Sequence, residues 1–280
     1  MTVQTSPPLS LQAIHSSLAT ASLGRRIELR TQVDSTNREA VTLAQAGVEH
    51  GTVVLADSQS KGQGRLSRQW FSPPGVNLYC SIVIRTTTSR ERLSDWLSWL
   101  PLIAAVAAAE AVDTIATTKV EVKWPNDLLI AGRKVGGILC ESGTTAQAEL
   151  FQVIGIGLNI NGERNTFPEE LRETATSIHQ ETGNVIDRNR LLVQLLQELE
   201  TCLDEYVQRG AERLALAYRR RCSTIGKTVK AMLSDGSEFI GLADTIGHDG
   251  SLTVIQQPVR GDGRTSEVRQ LRAADIVHLR

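Results

Sequence analysis

From Ile27 onward the chain switches repeatedly between the period-two alternation of strands and the 3.6-residue period of helices. Ile27 to Val33 reads as a strand, and Asp34-Ser35-Thr36 then offers N-cap chemistry for a helix that runs to Ala46 and stops at Gly47. Thr52 to Ala56 and Asn77 to Arg85 read as strands, and Ser94 to Ile115 as a buried helix. Val120 to Trp124 is a strand broken by Pro125. Leu128 to Ile130 and Lys134 to Glu141 form a hairpin with Gly132 at its turn. Leu150 to Ile160 is an apolar strand in which Gly155 and Gly157 permit close approach of a neighbour. Asp187 to Gln208 and Ala211 to Arg221 are amphipathic helices, and residues 9 to 23 carry a helical period closed by Gly24.

After Cys222 the texture changes. Thr228 to Leu233, Glu238 to Asp244, Leu252 to Gln256, Thr265 to Gln270 and Ile276 to Leu279 are short strands separated by Asp235-Gly236, Gly247 to Gly250 and Gly261-Asp262-Gly263 turns. This is the pattern of a small all-β barrel. The predicted organisation is an N-terminal extension (1–25), an α+β domain (26–222) and a β domain (223–280).

Composition narrows the classes. In 280 residues, 41% hydrophobic and 22% charged content is enough to bury a core. A net charge of -1 supplies no global basic field of the kind that drives nonspecific nucleic-acid binding, so any phosphate site has to be local. Cys80, Cys140, Cys202 and Cys222 are scattered without a C-x-x-C pair, which argues for reduced thiols rather than a disulfide framework or zinc site. Met1 to Ser10 lacks the basic and apolar regions of a secretory signal, and the expectation is a cytoplasmic protein. Trp96 to Ala109 is apolar but short of a membrane span and bracketed by Asp95 and Glu110, so it reads as a core helix.

Two segments carry chemistry. In Gly62-Gln63-Gly64-Arg65-Leu66-Ser67-Arg68-Gln69-Trp70, the glycines let backbone amides approach an anion, Arg65 and Arg68 bring guanidinium forks, and Trp70 adds a flat apolar face. The loop lacks the Gly-Lys-Ser/Thr ending of a P-loop and no helix start follows it; read alone, it fits phosphate binding or a solvated turn. Lys123-Trp124-Pro125-Asn126-Asp127 sets an amide and a carboxylate behind a stiff proline, for contacts to backbone, ribose or a magnesium-bound phosphate, or simply for turn capping. Together with Lys134-Val135-Gly136-Gly137 these segments supply what is needed to hold a nucleotide phosphate against a small acid, the chemistry of an adenylate-forming ligase. The basic run Arg219-Arg220-Arg221, with Lys227 and Lys230, reads either as a steering surface for an acidic partner or as a solvated helix end. His15, His50, His179, His248 and His278 show no metal spacing and are given no catalytic role.

Taken in order, Asp34-Ser35-Thr36-Asn37, the Gly62–Trp70 loop, Val122-Lys123-Trp124-Pro125-Asn126-Asp127, Arg133-Lys134-Val135-Gly136-Gly137-Ile138-Leu139 and Gly155-Ile156-Gly157-Leu158-Asn159-Ile160-Asn161 resemble the biotin protein ligase family, from about Ile27 to the C-terminus. The resemblance implies a mixed-sheet catalytic domain flanked by helices (class II synthetase-like, SH2-like) followed by an SH3-like barrel. It also implies two steps: biotin and Mg-ATP give biotinyl-5′-AMP, and a lysine of a carboxylase's biotin carboxyl carrier domain then takes the biotin. By resemblance, biotin contacts fall to Ser35, Thr36, Asn37, Gln59, Gln63, Gly64, Arg65, Lys134 and Gly137. Nucleotide contacts fall to Arg65, Arg68, Trp70, Lys123, Asn126 and Asn159.

Lys134, Arg65 and Asp127 take the catalytic places, Asp127 either organising Mg2+ or deprotonating the acceptor amine. The family usually shows Gly-Arg-Gly-Arg in the loop, where this chain has Gln63 at the first arginine and Ser67 at a common glycine. Lipoate ligases and octanoyl transferases share the implied fold and a lysine, but not the Lys-Trp-Pro-Asn-Asp run. Family members that act as DNA-binding repressors carry an N-terminal helix-turn-helix for which residues 1–25 leave no room, so neither DNA nor a membrane is an expected partner. A homodimer is left open.

Overall fold

The computed structural model describes residues 6–85, 90–233, 235–256, 266–272 and 274–279. The expected Gly261-Asp262-Gly263 turn, the first residue of the strand read from Thr265 and the start of the N-terminal extension lie outside these residues. In chain order the elements are α1 (Leu11–Ser17), β1 (Ile27–Val33), α2 (Thr36–Gln45), β2 (Val53–Gln59), β3 (Leu78–Arg85), α3 (Arg90–Ala116), β4 (Glu121–Lys123), β5 (Asp127–Ile130), β6 (Arg133–Thr144), β7 (Leu150–Leu158), α4 (Ile178–Thr182), α5 (Arg188–Arg209), α6 (Glu212–Arg221), β8 (Thr228–Met232), β9 (Glu238–Ile246), β10 (Leu252–Gln256), β11 (Glu267–Leu271) and β12 (Asp275–His278).

The first seven strands form one mixed sheet in the order β1-β2-β3-β7-β6-β5-β4. Only β1 and β2 run parallel, joined through α2, and every other pair is antiparallel. The parallel register continues to Val33↔Gln59, which extends β2 past the Ala56 expected from composition and brings Gln59 to the sheet's end. One face packs against α3, α5 and α6. There the run Ala104 to Ala109 is wholly buried, and its small side chains let α3 lie close to its neighbours. The segment Arg92–Ala116 is long and apolar enough to cross a membrane, but most of it is buried inside the protein. The other face carries α2, whose Ala40 and Ala44 meet Val54, Val83, Phe151 and Val153. This helix covers only part of that face.

The last five strands make an antiparallel sheet ordered β11-β10-β9-β8-β12, in the SH3-like arrangement expected. Its inner residues Val229, Ala231 and Ala243 join the same apolar core as α3, so the two sheets share one interior. Trp99 Nε1 donates to the His248 carbonyl at 2.7 Å, and the Trp124 amide donates to Thr224 Oγ1 at 3.0 Å.

One reading from sequence needs correction. The first helix ends at Ser17 rather than running toward residue 23, because the Glu200 carboxylate accepts from the amides of Ala21, Ser22 and Leu23 at 2.6–2.9 Å and holds that backbone in a non-helical bend and turn. Between β7 and α5, where sequence reading placed no element, α4 and two 3-10 turns, Arg164–Thr166 and Glu169–Leu171, form a strap. All four cysteines are free thiols.

Candidate active site

The part of the sheet face left open by α2 becomes the floor of a cavity of about 590 Å³. Its floor is flat because β6 and β7 place glycines there. A Cβ on Gly157 would come within 2.7 Å of the Trp70 ring, and one on Gly155 within 1.9 Å of Asn37 Oδ1. The absence of side chains is what seats both groups. Every residue singled out above for biotin, nucleotide or catalysis lines this one cavity.

A buried polar corner closes one end. Ser35 is the N-cap of α2 through its backbone, accepting from the Glu39 amide at 3.1 Å, but its hydroxyl makes no capping bond. The expected cap is in place without its side-chain bond, and Ser35, 3% exposed, lines the cavity. Thr36 donates from its amide to Gln59 Oε1 at 2.8 Å, and Gln59 Nε2 donates to Ser72 Oγ at 2.9 Å. Ser81 Oγ lies 2.8 Å from Thr36 Oγ1 and donates to Asn37 Oδ1 at 2.6 Å, while Asn37 Nδ2 donates to the Leu139 carbonyl and to Glu141. These side chains are locked to one another. Such a corner discriminates by hydrogen bonding, since a ligand without matching groups leaves buried polar atoms unpaired.

The glycine-arginine loop folds over the cavity as a flap. Gln63 pairs with Gln69 across it, the Gly64 amide donates to the Arg68 carbonyl at 2.7 Å, and a 3-10 turn spans Arg65–Ser67, a helical start that sequence reading did not expect. Leu66 and Ser67 sit at φ of 54° and 58°, the left-handed region where glycine is at ease. Arg65 donates to Asn126 Oδ1 at 3.3 Å and to the Ala274 carbonyl at 3.1 Å, and burial pushes its pKa down. The Arg68 fork engages Asp275. Trp70 Nε1 is buried against Gly157 with no hydrogen-bond partner among the described residues.

The Trp124–Asp127 turn and the β5–β6 hairpin supply the opposite wall. Asn126 Nδ2 donates to the Ile138 carbonyl at 2.7 Å, fixing its amide, and Asp127 Oδ1 lies 2.6 Å from Lys134 Nζ. The same ammonium stands 5.4 Å from the Trp70 ring centroid, in cation–π range. The strap clamps the backbone of Lys134 from outside: its amide donates to Thr174 and its carbonyl accepts from Thr176, at 2.8 and 2.9 Å. Asn159 Nδ2 donates to the Thr176 carbonyl at 3.1 Å, tying the end of β7 to the same strap. Lys123 is half-buried, and desolvation pushes its ammonium pKa down against the pull of Asp127 and Asp275. Of the basic run, Arg221 is paired with Asp113, Arg219 donates to the Ile246 carbonyl and Lys230 is paired with Glu238, so these three are engaged within the chain.

Sequence reading missed two groups of lining residues. Phe167, Leu171 and Thr174 come from the strap, whose short turns leave no periodic signal. Asp275 and His278 come from β12, at the far end of the chain. His278 lies 3.1 Å from Thr224 Oγ1; burial and the nearby Lys123 and Lys227 lower its pKa from 6.5 to about 4, which keeps the imidazole neutral. Nothing in the spacing of Asp-Ile-Val-His announces a return to the flap.

Comparisons with known proteins agree with this architecture. Residues 29–161 match the biotin/lipoate A/B protein ligase family. The biotin--[acetyl-CoA-carboxylase] ligase of Mycobacterium tuberculosis is 32% identical over 276 residues, covering 98% of this chain and 97% of that protein. The bifunctional ligase/repressor BirA of Bacillus subtilis is 33% identical over 244 residues, 87% of this chain and 74% of its own length. Among solved structures, the biotin protein ligase of Aquifex aeolicus in complex with biotin and ATP superimposes with a TM-score of 0.73 at 25% identity, over 91% of this chain and 99% of that one. A similar sequence over nearly the whole length, with the same fold around a single glycine-floored cavity, leads to one assignment: the chain belongs to the biotin protein ligase family.

Proposed function

We propose that this cavity joins biotin to the α-phosphate of ATP and then delivers the biotin to a lysine of a carboxylase's biotin carboxyl carrier domain. The observation that carries the reading is the convergence, in one cavity, of a locked polar corner, an arginine flap and the Lys134 ammonium. The polar corner suits biotin's ureido ring, with the Ser35 hydroxyl, Thr36 and Gln59 facing the head and Asn37 bracing them. The carboxylate end then lies toward Lys134 and the flap.

In the first step a carboxylate oxygen attacks the α-phosphorus and pyrophosphate departs, giving the mixed anhydride biotinyl-5′-AMP. Charge accumulates on the oxygens around that phosphorus, where Lys134, Arg65 and Arg68 stabilise it more than they stabilise the separated reactants. Asn126, Asn159, Lys123 and Trp70 hold the nucleotide. In the second step the acceptor's neutral amine attacks the acyl carbon, the C–O bond to AMP breaks and the amine's proton is lost. Asp127, beside Lys134, orients that ammonium and is the carboxylate available either to the magnesium of Mg-ATP or to the acceptor amine. The magnesium of this reading arrives with the phosphates as part of the substrate. The flap keeps water from the anhydride between steps.

The reading places this work in the cytoplasm, without DNA or membrane, in a chain divided near residue 222; monomer and homodimer are both compatible with it. The test is to mix the protein with biotin, Mg-ATP and a biotin carrier domain and to weigh the carrier. A carrier heavier by one biotinyl group, absent when its target lysine is replaced by arginine, is the expected result. An unmodified carrier, or modification with lipoate but not biotin, would refute the reading.

A further inference from the structure

Among the described residues the flap is fastened to the second sheet at the start of β12, and the geometry points to Asp275 as the residue that positions it. Both terminal nitrogens of Arg68 face the two Asp275 carboxylate oxygens, and the adjacent Ala274 carbonyl takes Arg65 Nη2 at 3.1 Å. The two flap arginines thus converge on consecutive residues. The loop needs such a hold: Leu66 and Ser67 occupy positive φ, which is uphill for side-chain-bearing residues, and Leu66 at the apex is 64% exposed, so packing does not secure it.

Asp275 itself is well placed to act as an anchor. Its side chain is only 18% exposed, against 64% for Arg68, and its strand is pinned to β8 through Asp275↔Met232 and Val277↔Lys230. The rigid partner is therefore the carboxylate, and the guanidinium is the part that swings. Asp275 touches no reacting atom in this account; it acts through Arg68 and Arg65. The consequence, which rests on the proposed ligase function, is that Asp275 governs how long the acyl-adenylate stays sealed under the flap more than how fast it forms.

Asp275→Asn keeps size and an acceptor oxygen while removing the charge, and Asp275→Glu restores the charge. Enzyme loaded with biotin and Mg-ATP is freed of excess substrate, and escape of biotinyl-5′-AMP into solution is followed by chromatography. We expect escape to quicken about tenfold in Asp275→Asn, the loss of roughly one partly exposed charge-assisted fork, and to recover toward the parent rate in Asp275→Glu. Arg68→Gln, which also removes a phosphate contact, should quicken escape at least as much as Asp275→Asn, and adding Asp275→Asn to it should quicken escape no further.

A second readout needs no activity. Trypsin cutting after Arg65 and Arg68 in ligand-free protein should quicken by a similar factor in Asp275→Asn while its melting curve stays cooperative. Unchanged escape together with unchanged tryptic cutting in a folded Asp275→Asn protein would overturn the assignment. Failure of the parent protein to make any adenylate would instead refute the ligase reading and leave the tryptic comparison to decide the role of Asp275.

Discussion

Strand β7 shows two faces built on opposite rules. Toward α3 it presents Gln152, Ile154 and Leu158, fully buried, with Gln152 Oε1 accepting from Trp96 Nε1. Toward the cavity it presents Gly155 and Gly157, each a contact surface for another residue's side chain. The first face is specified by volume that must be filled, the second by volume that must be absent. Stability resides mainly on the first and chemistry on the second, so substitutions on the two faces should separate folding from function.

The sharpest separation comes from Lys134 on the neighbouring strand. Its ammonium is partly exposed and its backbone is clamped by Thr174 and Thr176, so Lys134→Ala should leave the melting temperature close to the parent's. Adenylate formation, read as pyrophosphate release, should fall by roughly 10²–10³-fold, the usual loss for a preorganised electrostatic contact. On the closed face the pattern should invert. Ile154→Ala removes a side chain with no exposure and should cost about 2–5 kcal/mol of unfolding free energy in denaturant titration, with turnover by the folded fraction little changed.

Gly157→Ala is the intermediate case. Its methyl meets the Trp70 ring at 2.7 Å, so the indole has to move. We expect adenylate affinity to weaken by about tenfold, roughly 1.4 kcal/mol, by equilibrium titration, with only a small change in melting temperature. An Ile154→Ala protein that lost affinity at full stability, or a Gly157→Ala protein that unfolded outright, would break the two-face comparison.

The smallest effect concerns acid. His278 has its pKa lowered to about 4 in the folded chain from an ordinary 6.5, so the unfolded state binds the extra proton between those values. Stability contributed by the neutral imidazole is complete above pH 6.5 and is lost as pH falls toward 4. His278→Gln should flatten that part of a melting-temperature profile against pH; a profile identical to the parent's would mean that another group titrates there.

How much of this was legible beforehand follows the same division. The apolar periods of Ile27 to Val33, Asn77 to Arg85 and Leu150 to Ile160 reported the sheet, because filled volume leaves a repeating signal. The cavity's chemistry was legible where residue types are unusual together, as in Gly62 to Trp70 and Lys123 to Asp127. It was not legible where tertiary contacts alone decide. Glu200 unwinds the end of α1, the Ser35 hydroxyl is released from capping, and Asp275 meets Arg68 across 207 positions of sequence. Local periodicity carries no trace of a partner so far along the chain.

The central claim is that one cavity activates biotin's carboxylate with ATP, and it is tested most directly without any acceptor protein. The enzyme is mixed with Mg-ATP and either biotin or lipoate, quenched, and its bound acyl-adenylate counted against enzyme. The account predicts a rapid burst of about one biotinyl-5′-AMP per cavity with biotin and almost none with lipoate. No burst with biotin, or an equal burst with lipoate, would contradict it.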